Sequence, residues 1–411
     1  MPWLETNQEM ERMKFIVALE SGEEDFATLC RRFNISRQTG YTWKRRFEEL
    51  GPAGLSDRPP LAGRHPNMTS EAVEDAVVAV RKQYPSWGPK KVRRWLIEQR
   101  PDLVAPATST IGEILDRRGL TAPRKRRLRV PPSPSHLTKA TCPNALWTTD
   151  HKGSFRLSQG RCYPLTLMDA WSRYFLKCEA LPSTSEQAAW PHYEAAFREF
   201  GLPARIRSDN GVPFANAGSL GRLSRLSIWW VKLGIELERI EPGHPEQNGQ
   251  HERMHRTLEE AIDEGKHGMD EQQRRFDGFR RIWNHERPHE AIGQRCPARL
   301  YETSWRPYPA VIPSPEYAPG VHVRQVGDNG RVSWRGHIFP IGKVLQGEPV
   351  GFQEMDDGRW LVSFGPVRLC TVEIDKGVLK VGVKLPDLVP GTHAKAVEEP
   401  PAPHEDPTSD E

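Results

Sequence analysis

Three acidic side chains, far apart in the sequence, are the residues best suited to carry chemistry. Asp150 ends the apolar run "ALWTTD" and Asp209 ends "ARIRSD", so each carboxylate is expected at the C-terminal end of a strand. Such strand ends collect functional groups in open α/β sheets. Glu252 lies in "PGHPEQNGQHERMHRTL", which starts as a loop and continues as a helix with a charged face. Carboxylates that a fold brings together could ligate a hard divalent cation.

Two of the predicted strand ends allow a different interpretation. Asp209 is followed by Asn210-Gly211, a pair typical of a plain turn. Asp169, in "LTLMDAWSR", is a further acid at a strand end and competes for any catalytic role. Taken singly, Asp209 is better explained by the turn, so the assignment needs a pattern that involves more than one acid.

The helix that carries Glu252 is expected to begin near Asn248. Glu252 would project from nearly the opposite side to the apolar stripe, and a lone acid on a polar helix face is usually solvated. The stripe comprises Met254, Leu258, Ala261 and Ile262. Three histidines adjoin the acids: His151, His251 and His255. They could contact phosphate or metal, but we expect them to be solvated histidines of a helix or loop.

A mixed sheet is predicted to position the strand acids. The runs "RCYPLTLMDA" and "YFLKCEAL" are expected to form adjacent antiparallel strands, and the helical run "SEQAAWPHYEAAFREFG" lies between them and "ARIRSD". Hairpins followed by a helical crossover imply a mixed sheet covered by helices. Farther on, residues 320–385 form short alternating runs broken at "DNG", "QG" and "DDG", which predicts a small closed β-barrel.

Residues 25–50 show a helix, a turn and a second helix. Ser36 follows the break and is a good N-cap for the second helix. A second helix of this kind can enter the major groove of DNA, although an ordinary helical hairpin has the same pattern. The candidate DNA-contacting residues are Arg37, Gln38, Thr39, Lys44 and Arg45.

A second helical unit is predicted after a proline-rich and glycine-rich linker at 51–67. Its first helix places Val73, Ala76, Val77 and Val80 on one stripe, and its three short helices have basic faces. A second helix-turn-helix-like domain is therefore plausible, with a small structural bundle as the alternative. The run "PRKRRLR" at 123–129 adds five cations in seven residues, either as a DNA contact or as a solvated linker, and includes Lys125, Arg126 and Arg127.

Composition excludes several classes of protein. The 411 residues carry 37% hydrophobic and 27% charged residues and a net charge of +4, which is typical of a soluble multidomain chain without a membrane span. The N-terminus lacks the pattern of a secretory signal, so we expect a cytoplasmic protein. Six cysteines form no CxxC pair and no zinc-like cluster, and are expected to be reduced and mostly buried. The acidic, proline-rich tail is expected to be disordered.

Four strings occur in the order found in one protein family: "LWTTD", "RSDNGVPF", "PGHPEQNGQHERMHRTL" and "WNHERPHEAIGQRCP". They resemble the catalytic core of DDE transposases and retroviral-type integrases, specifically bacterial insertion-sequence transposases. The resemblance covers roughly residues 140–300. It implies an α/β RNase H-like core, with all-α helix-turn-helix units before it and a small β-barrel after it.

The resemblance also implies the roles of individual residues. Asp150, Asp209 and Glu252 stand at the positions of the catalytic, metal-binding triad, and Mg²⁺ or Mn²⁺, with two ions, is the implied cofactor. Other matching positions frame the acids or close the core: Gly211, Phe214, Asn248, Gly249, Pro288 and His289. The 42 residues between Asp209 and Glu252 exceed the interval in compact members, and the extra segment "ANAGSLGRLSRLSIWW" is expected to form a loop near the site.

The function implied by the resemblance is strand cleavage and strand transfer at the ends of a mobile DNA element. The implied partners are double-stranded DNA, as element ends and target, and further copies of the chain on that DNA in the bacterial nucleoid. The alternatives are a metal-dependent nuclease without strand transfer and a catalytically inactive DNA-binding regulator. The predicted domains span residues 1–60, 66–122, 141–308 and 318–388, with a basic linker at 123–140 and the disordered tail at 389–411.

Overall fold

The computed structural model describes residues 7–57, 69–121, 137–262, 264–375 and 378–382. The basic run at 123–129, with Lys125, Arg126 and Arg127, and the acidic tail at 389–411 lie outside the described residues. The chain divides into two units, residues 1–70 and 71–411. Among the described helices, none is both long and apolar enough to cross a membrane.

The first unit contains three helices, α1 (Gln8–Ser21), α2 (Phe26–Arg32) and α3 (Arg37–Leu50). The predicted helix-turn-helix is confirmed in α2 and α3, and the Ser36 side chain accepts a hydrogen bond from the Thr39 N–H, as expected of an N-cap. The predicted linker does not start at residue 51, because Gly51–Leu55 forms a 3₁₀ turn whose Leu55 is buried in the same core as Phe15 and Leu29.

The second unit begins with three more helices, α4 (Glu71–Gln83), α5 (Pro89–Gln99) and α6 (Thr108–Arg117). The predicted apolar stripe of α4 is buried, together with Trp87 and Ile111. These helices pack on the central part of the chain. Ser86 donates to Glu260 at 2.9 Å, and Lys90 pairs with Glu290 at 2.6 Å.

The central sheet has six strands, and the helix α7 (Glu186–Phe200) packs on it. Its strands pair in the order β2-β3-β1-β5-β6, and β4 also pairs with β3. The pairs β1–β3 and β3–β4 are antiparallel, whereas β1–β5 and β5–β6 are parallel, so the mixed sheet is confirmed. The strands are β1 (Trp147–His151), β2 (Phe155–Arg156), β3 (Arg161–Asp169), β4 (Phe175–Leu181), β5 (Arg205–Ser208) and β6 (Glu236–Arg239).

Three helices complete this core: α8 (Arg225–Lys232), α9 (Gly249–Leu258) and α10 (Met269–His285). Helix α8 corrects the prediction of a loop in "ANAGSLGRLSRLSIWW". Ser224 and Ser227 form a reciprocal capping box at the start of α8. The helix buries Trp229 and Trp230 against the sheet, so the second half of the added segment is part of the core.

The C-terminal part forms an open sheet, and the closed barrel predicted for residues 318–388 is not found in the described residues. Its five antiparallel strands pair in the order β13-β12-β11-β10-β7, and the hairpin β8–β9 is separate. The hairpin stacks Trp334 on Phe352 at 4.2 Å and so covers a face of the sheet, whereas a barrel would need its edges to pair. The strands are β7 (His322–Gln325), β8 (Arg331–Trp334), β9 (His337–Pro340), β10 (Pro349–Glu354), β11 (Trp360–Phe364), β12 (Val367–Asp375) and β13 (Val378–Gly382).

Candidate active site

Strand β1 and helix α9 bring two of the predicted acids together. Asp150 is the next-to-last residue of β1, and Glu252 lies in the first turn of α9, which packs against β1. Each of Asp150, Glu252 and His255 offers a possible ligand atom, and these atoms lie within 4.8 Å of one another. Glu252 is exposed, Asp150 is partly buried, and His255 is buried. This cluster is open to solvent on one side and closed by protein on the other.

Asp209 lies next to this cluster but is not one of its members. Trp147 pairs with Ile206 and Thr148 with Arg207 across the parallel strands β1 and β5, and continuing that register places Asp150 beside Asp209. Side chains at equivalent positions of neighbouring strands point to the same face of a sheet. The Gly211 N–H donates to Asp209 Oδ1 at 3.0 Å, so the carboxylate closes the turn that follows β5.

The environment of Asp150 disfavours its ionised form. Burial raises the pKa of Asp150 to about 7, and the negative charges of Asp209 and Glu252 add to that effect. Burial also raises the pKa of Asp209, against the hydrogen bond from Gly211. A divalent cation would relieve this repulsion, and its preferred ligands are the carboxylate oxygens present here. The residues therefore fit a bound metal ion.

Asp169 is a structural residue. Its side chain is fully buried, and its Oδ1 accepts from the Ser172 N–H at 2.7 Å and the Ser172 hydroxyl at 2.6 Å. Its Oδ2 accepts from the Asn144 N–H at 2.8 Å. The carboxylate thus holds the turn after β3 to the start of the core, which removes the competitor for the catalytic role.

The histidines of α9 are not solvated, contrary to the expected alternative. His251 is fully buried and His255 is 4% exposed, and both contact the hydroxyl of Thr166 on β3. Periodicity places Met254 and Leu258 on the buried face correctly but treats histidine as polar, so it misses that these two rings lie on the same side. His151 is also largely enclosed, and it stacks on Phe214 at 5.8 Å.

The residues that frame the acids differ in their structural roles. A Cβ at position 211 would lie 2.9 Å from Asp209 Oδ2, so only glycine leaves that carboxylate in place. Asn248 is buried immediately before α9. Among the described residues outside its own helix turn, none lies within 4 Å of a Cβ at position 249, so their packing does not explain that glycine. His289 packs on Trp283 with a ring distance of 4.4 Å and closes the core behind α10.

The five predicted DNA contacts within the described chain lie on one helix of the first unit. All five are exposed on α3: Arg37, Gln38, Thr39, Lys44 and Arg45. Two of them take part in local contacts, since Thr39 interacts with the Ser36 hydroxyl at 2.8 Å and Lys44 pairs with Glu48 at 3.8 Å. The remaining surface of this helix face is free to meet a polyanion.

Sequence reasoning missed a basic groove in the second unit. The groove has a volume of about 900 Å³ and is lined by residues from the chain before β1, the turn after β3, strand β5, the start of α9 with the turn before it, and the segment after α10. One acid, Glu246, also lines it. Its cations are Lys139, Arg173, Arg207 and Arg295. Arg207 pairs with Glu238 at 2.6 Å, whereas the Arg173 Nη1 is buried with no hydrogen-bond partner among the described residues. These cations are scattered in sequence, so no charge run marks them.

Comparison with known families gives matches along most of the chain. Residues 140–245 and 233–297 match integrase core domains, and residues 321–378 match the C-terminal domain of the IS481 family transposases. Residues 11–64 match a helix-turn-helix domain, and residues 39–115 match a homeodomain-like domain. The matched order of domains agrees with the order in the structure.

Individual relatives share parts of this arrangement. An uncharacterized 39.2 kDa protein of insertion element IS476 from Xanthomonas euvesicatoria is 26% identical over 255 residues, which is 60% of this chain and 70% of the relative. The Pol polyprotein of feline endogenous virus ECE1 is 31% identical over 125 residues, 30% of this chain. The Gag-Pol polyprotein of baboon endogenous virus is 34% identical over 128 residues, also 30% of this chain. The matched segments span only 11% and 7% of these two polyproteins.

Solved structures with detectable similarity include two from retroviruses. A chain of the simian T-cell lymphotropic virus intasome in complex with PP2A regulatory subunit B56 gamma covers 74% of this chain and 98% of its own length, at 16% identity and a TM-score of 0.35. The HTLV-2 integrase catalytic core domain in complex with magnesium covers 40% of this chain and 100% of its own length, at 13% identity and a TM-score of 0.30.

Proposed function

We propose that the chain is a DDE-type insertion-sequence transposase that cuts and joins DNA at the ends of a mobile element. The matches of residues 140–245 and 233–297 to integrase core domains, and of residues 321–378 to the C-terminal domain of IS481 family transposases, support this proposal. The proposed reaction is strand cleavage followed by strand transfer. Asp150, Asp209 and Glu252 are the proposed metal ligands. The observation that carries the proposal is the convergence of Asp150 and Glu252 from β1 and α9, with Asp209 directly after the strand β5 that pairs with β1.

The three carboxylates would hold Mg²⁺ or Mn²⁺, with two ions as the proposed number. When bound about 4 Å apart, two such ions supply activation of the attacking oxygen and stabilisation of the leaving oxygen at a phosphodiester. Asp150 and Asp209 would hold the ions from the sheet, and Glu252 from the helix. Water as the attacking group nicks the strand and releases a 3′-hydroxyl. That hydroxyl then attacks a phosphodiester of the target, so one phosphodiester bond forms as another breaks.

DNA binding would divide between the two units. The exposed face of α3 is suited to reading base edges, with Arg37, Gln38 and Thr39 at its start and Lys44 and Arg45 farther along. The groove with Arg173 and Arg295 begins at the N-terminal end of α9 and so could hold a phosphate backbone near the acids. The basic residues Lys125, Arg126 and Arg127 precede the groove in the chain and are proposed as further phosphate contacts.

The wider setting of the protein follows from this function. A chain that joins two element ends to a target must act as more than one copy, so we propose a homo-oligomer assembled on DNA. The proposed location is the bacterial cytoplasm, on the nucleoid when DNA is bound. These partners are inferred from the chemistry of the reaction and from the domains that the chain carries.

The experiment uses the full chain and duplexes taken from the DNA that flanks its coding region. Nicking and joining are measured on labelled oligonucleotides with Mg²⁺ or Mn²⁺. Asp150→Asn, Asp209→Asn and Glu252→Gln should each abolish both steps and leave duplex binding intact, whereas Asp270→Asn, an exposed acid at the start of α10, should have no effect. Strand transfer by any one of the three variants would contradict the site assignment.

The same experiment separates the two alternatives. A metal-dependent nuclease would nick the duplex through the same acids but would give no joined product. An inactive DNA-binding regulator would bind the duplex and give neither product. Terminal inverted repeats beside a short duplicated target in the flanking DNA would favour a mobile element over a regulator.

A further inference from the structure

Two threonines and two histidines form a buried hydrogen-bond network behind the acids. The Thr166 hydroxyl on β3 lies 2.7 Å from His251 Nε2, 2.8 Å from His255 Nε2 and 2.9 Å from the Asp150 carbonyl oxygen. The Thr148 hydroxyl on β1 lies 2.9 Å from His251 Nδ1. All four side chains are buried. We call this set the Thr166 network.

The Thr166 network determines where the ring protons lie. A carbonyl oxygen only accepts hydrogen bonds, so the single hydroxyl proton of Thr166 is donated to Asp150. Both histidines must then donate their Nε2 protons to the two remaining lone pairs of the Thr166 oxygen. His251 is neutral because it is fully buried, and its bare Nδ1 accepts from the Thr148 hydroxyl at 2.9 Å, a shorter contact than the 3.4 Å from that hydroxyl to the Met168 carbonyl oxygen.

His255 is consequently left with an unprotonated ring nitrogen that faces the acids. Its Nδ1 lies 3.8 Å from Asp150 Oδ2, which is too far for an N–H···O hydrogen bond. The ring is 4% exposed, which disfavours the charged imidazolium, and the hydrogen-bond geometry assigns its single proton to Nε2. The lone pairs of His255 Nδ1 and Asp150 Oδ2, 3.8 Å apart, could both bind one cation placed between them.

We propose that His255 is a nitrogen ligand of the metal site formed with Asp150 and Glu252, and that the Thr166 hydroxyl fixes its tautomer. This inference rests on the proposed metal-dependent function and specifies the metal that the site prefers. Imidazole nitrogen suits Mn²⁺ and other transition metals better than it suits Mg²⁺, which favours oxygen ligands. The site should therefore bind Mn²⁺ more tightly than Mg²⁺, and the difference should depend on His255.

Thr166 acts on the metal through His255 and is a positioning residue. A partner that fixes the tautomer and the orientation of a ligating histidine commonly changes metal affinity by about 10- to 100-fold. The Thr166→Val variant keeps the shape of the side chain but removes the acceptor for both Nε2 protons. We expect about a tenfold loss of Mn²⁺ affinity in this variant, on the low side of that range.

The direct test is pulsed electron paramagnetic resonance of the full chain, without a histidine tag, with one equivalent of Mn²⁺. We expect modulation from a directly bound imidazole nitrogen, which should change when the histidines are labelled with ¹⁵N. The His255→Gln variant should lose the modulation, because the amide can still donate to Thr166 but offers no imidazole. The matched control is His285→Gln, an exposed histidine at the end of α10, which should keep it.

The outcomes distinguish this inference from the proposed function. Mn²⁺ bound to the wild-type chain without nitrogen modulation, but released by Asp150→Asn, would overturn the role of His255 and leave the acid site standing. Mn²⁺ binding that is unaffected by Asp150→Asn and Glu252→Gln would overturn the metal site itself. The wild-type spectrum decides the first point, so it does not depend on whether the His255 variant folds.

Discussion

Asp150 on β1 lies near Asp209, which directly follows the neighbouring parallel strand β5, and the negative charge of Asp209 raises the pKa of Asp150. Glu252 reaches the same place from a helix that starts after a 3₁₀ turn at Pro245–Asn248. The three acids therefore converge through sheet register and helix packing, which are independent of each other. Their mutual repulsion is a property that can be measured in the metal-free protein.

The first prediction concerns the pH dependence of stability without metal. The pKa of folded Asp150 is raised to about 7 from an ordinary value of 3.8, so the folded state holds its proton more tightly than the unfolded state. Stability is therefore lost as pH rises from about 4 to 7, by at most about 4 kcal/mol at ~1.4 kcal/mol per unit. Urea unfolding at several pH values should show a smaller loss for Asp150→Asn than for the wild type. Equal losses would show that Asp150 is already ionised and relaxed in the folded chain.

The second prediction concerns the acid limb of the same curve. Burial lowers the pKa of His251 to about 3, so the unfolded chain binds a proton below about pH 6.5 that the folded chain does not. The contribution of His251 to stability should fall as pH drops from about 6.5 toward 3, which is opposite in sign to the contribution of Asp150 over the shared range. His251→Gln can keep a neutral partner for the threonines and should flatten this limb. An unchanged acid limb in the variant would indicate that His251 is not buried as a neutral ring.

The third prediction uses two glycines with different surroundings. Gly211→Ala should displace the Asp209 carboxylate, because the added Cβ would lie 2.9 Å from its Oδ2. A misplacement of a catalytic group by about 1 Å can lower the reaction rate by about 100-fold. Gly278→Ala, within α10, meets no atom within 4 Å and should raise stability by up to about 1 kcal/mol without changing the rate. Strand-transfer rates and urea midpoints of both variants check this contrast.

Local patterns in the sequence predicted the elements that depend on neighbouring residues. Ser36 caps α3 because its hydroxyl satisfies a backbone N–H three residues on. The two β-rich runs "RCYPLTLMDA" and "YFLKCEAL" were enough to predict the β3–β4 hairpin. The mixed sheet of the core is confirmed by its strand pairing, and the resemblance to insertion-sequence transposases is confirmed by the family matches. The assignment of the acid triad stays a prediction, supported by the convergence of Asp150 and Glu252.

The remaining features depend on partners that are distant in sequence. The buried His255 ring lies within hydrogen-bond distance of the hydroxyl of Thr166, 89 residues earlier, and helix periodicity carries no information about such a partner. The C-terminal strands alternate as a barrel would, but the stacking of Trp334 on Phe352 directs the hairpin onto a face of the sheet. The groove cations likewise meet only after the chain has folded.

The fourth prediction concerns the basic groove. Arg295 is exposed at its wall, so Arg295→Ala removes a cation with little risk to the fold. If the Arg295 guanidinium contacts a DNA phosphate, the plot of the logarithm of the binding constant against the logarithm of salt concentration should be less steep for Arg295→Ala, by about 0.9 in slope. Arg331→Ala, which removes an exposed arginine from β8, is the matched control and should leave the slope unchanged. Fluorescence anisotropy of a labelled duplex at several salt concentrations measures both. Identical slopes for Arg295→Ala and the wild type would exclude this contact.

The fifth prediction separates two roles on the exposed face of α3. Gln38 lies near the start of the helix, where a side chain entering the major groove reaches base edges, and Lys44 lies two turns on, where a cation meets the phosphate backbone. Gln38→Ala should lower affinity for an element end by about 1–3 kcal/mol and affect unrelated DNA little. Lys44→Ala should weaken binding to both duplexes alike and reduce the salt slope by about 1. Glu20→Ala, an exposed change on α1, should alter neither measurement. Competition binding with an element end and a scrambled duplex measures the ratio of the two affinities. An unchanged ratio in Gln38→Ala would place end recognition elsewhere in the chain.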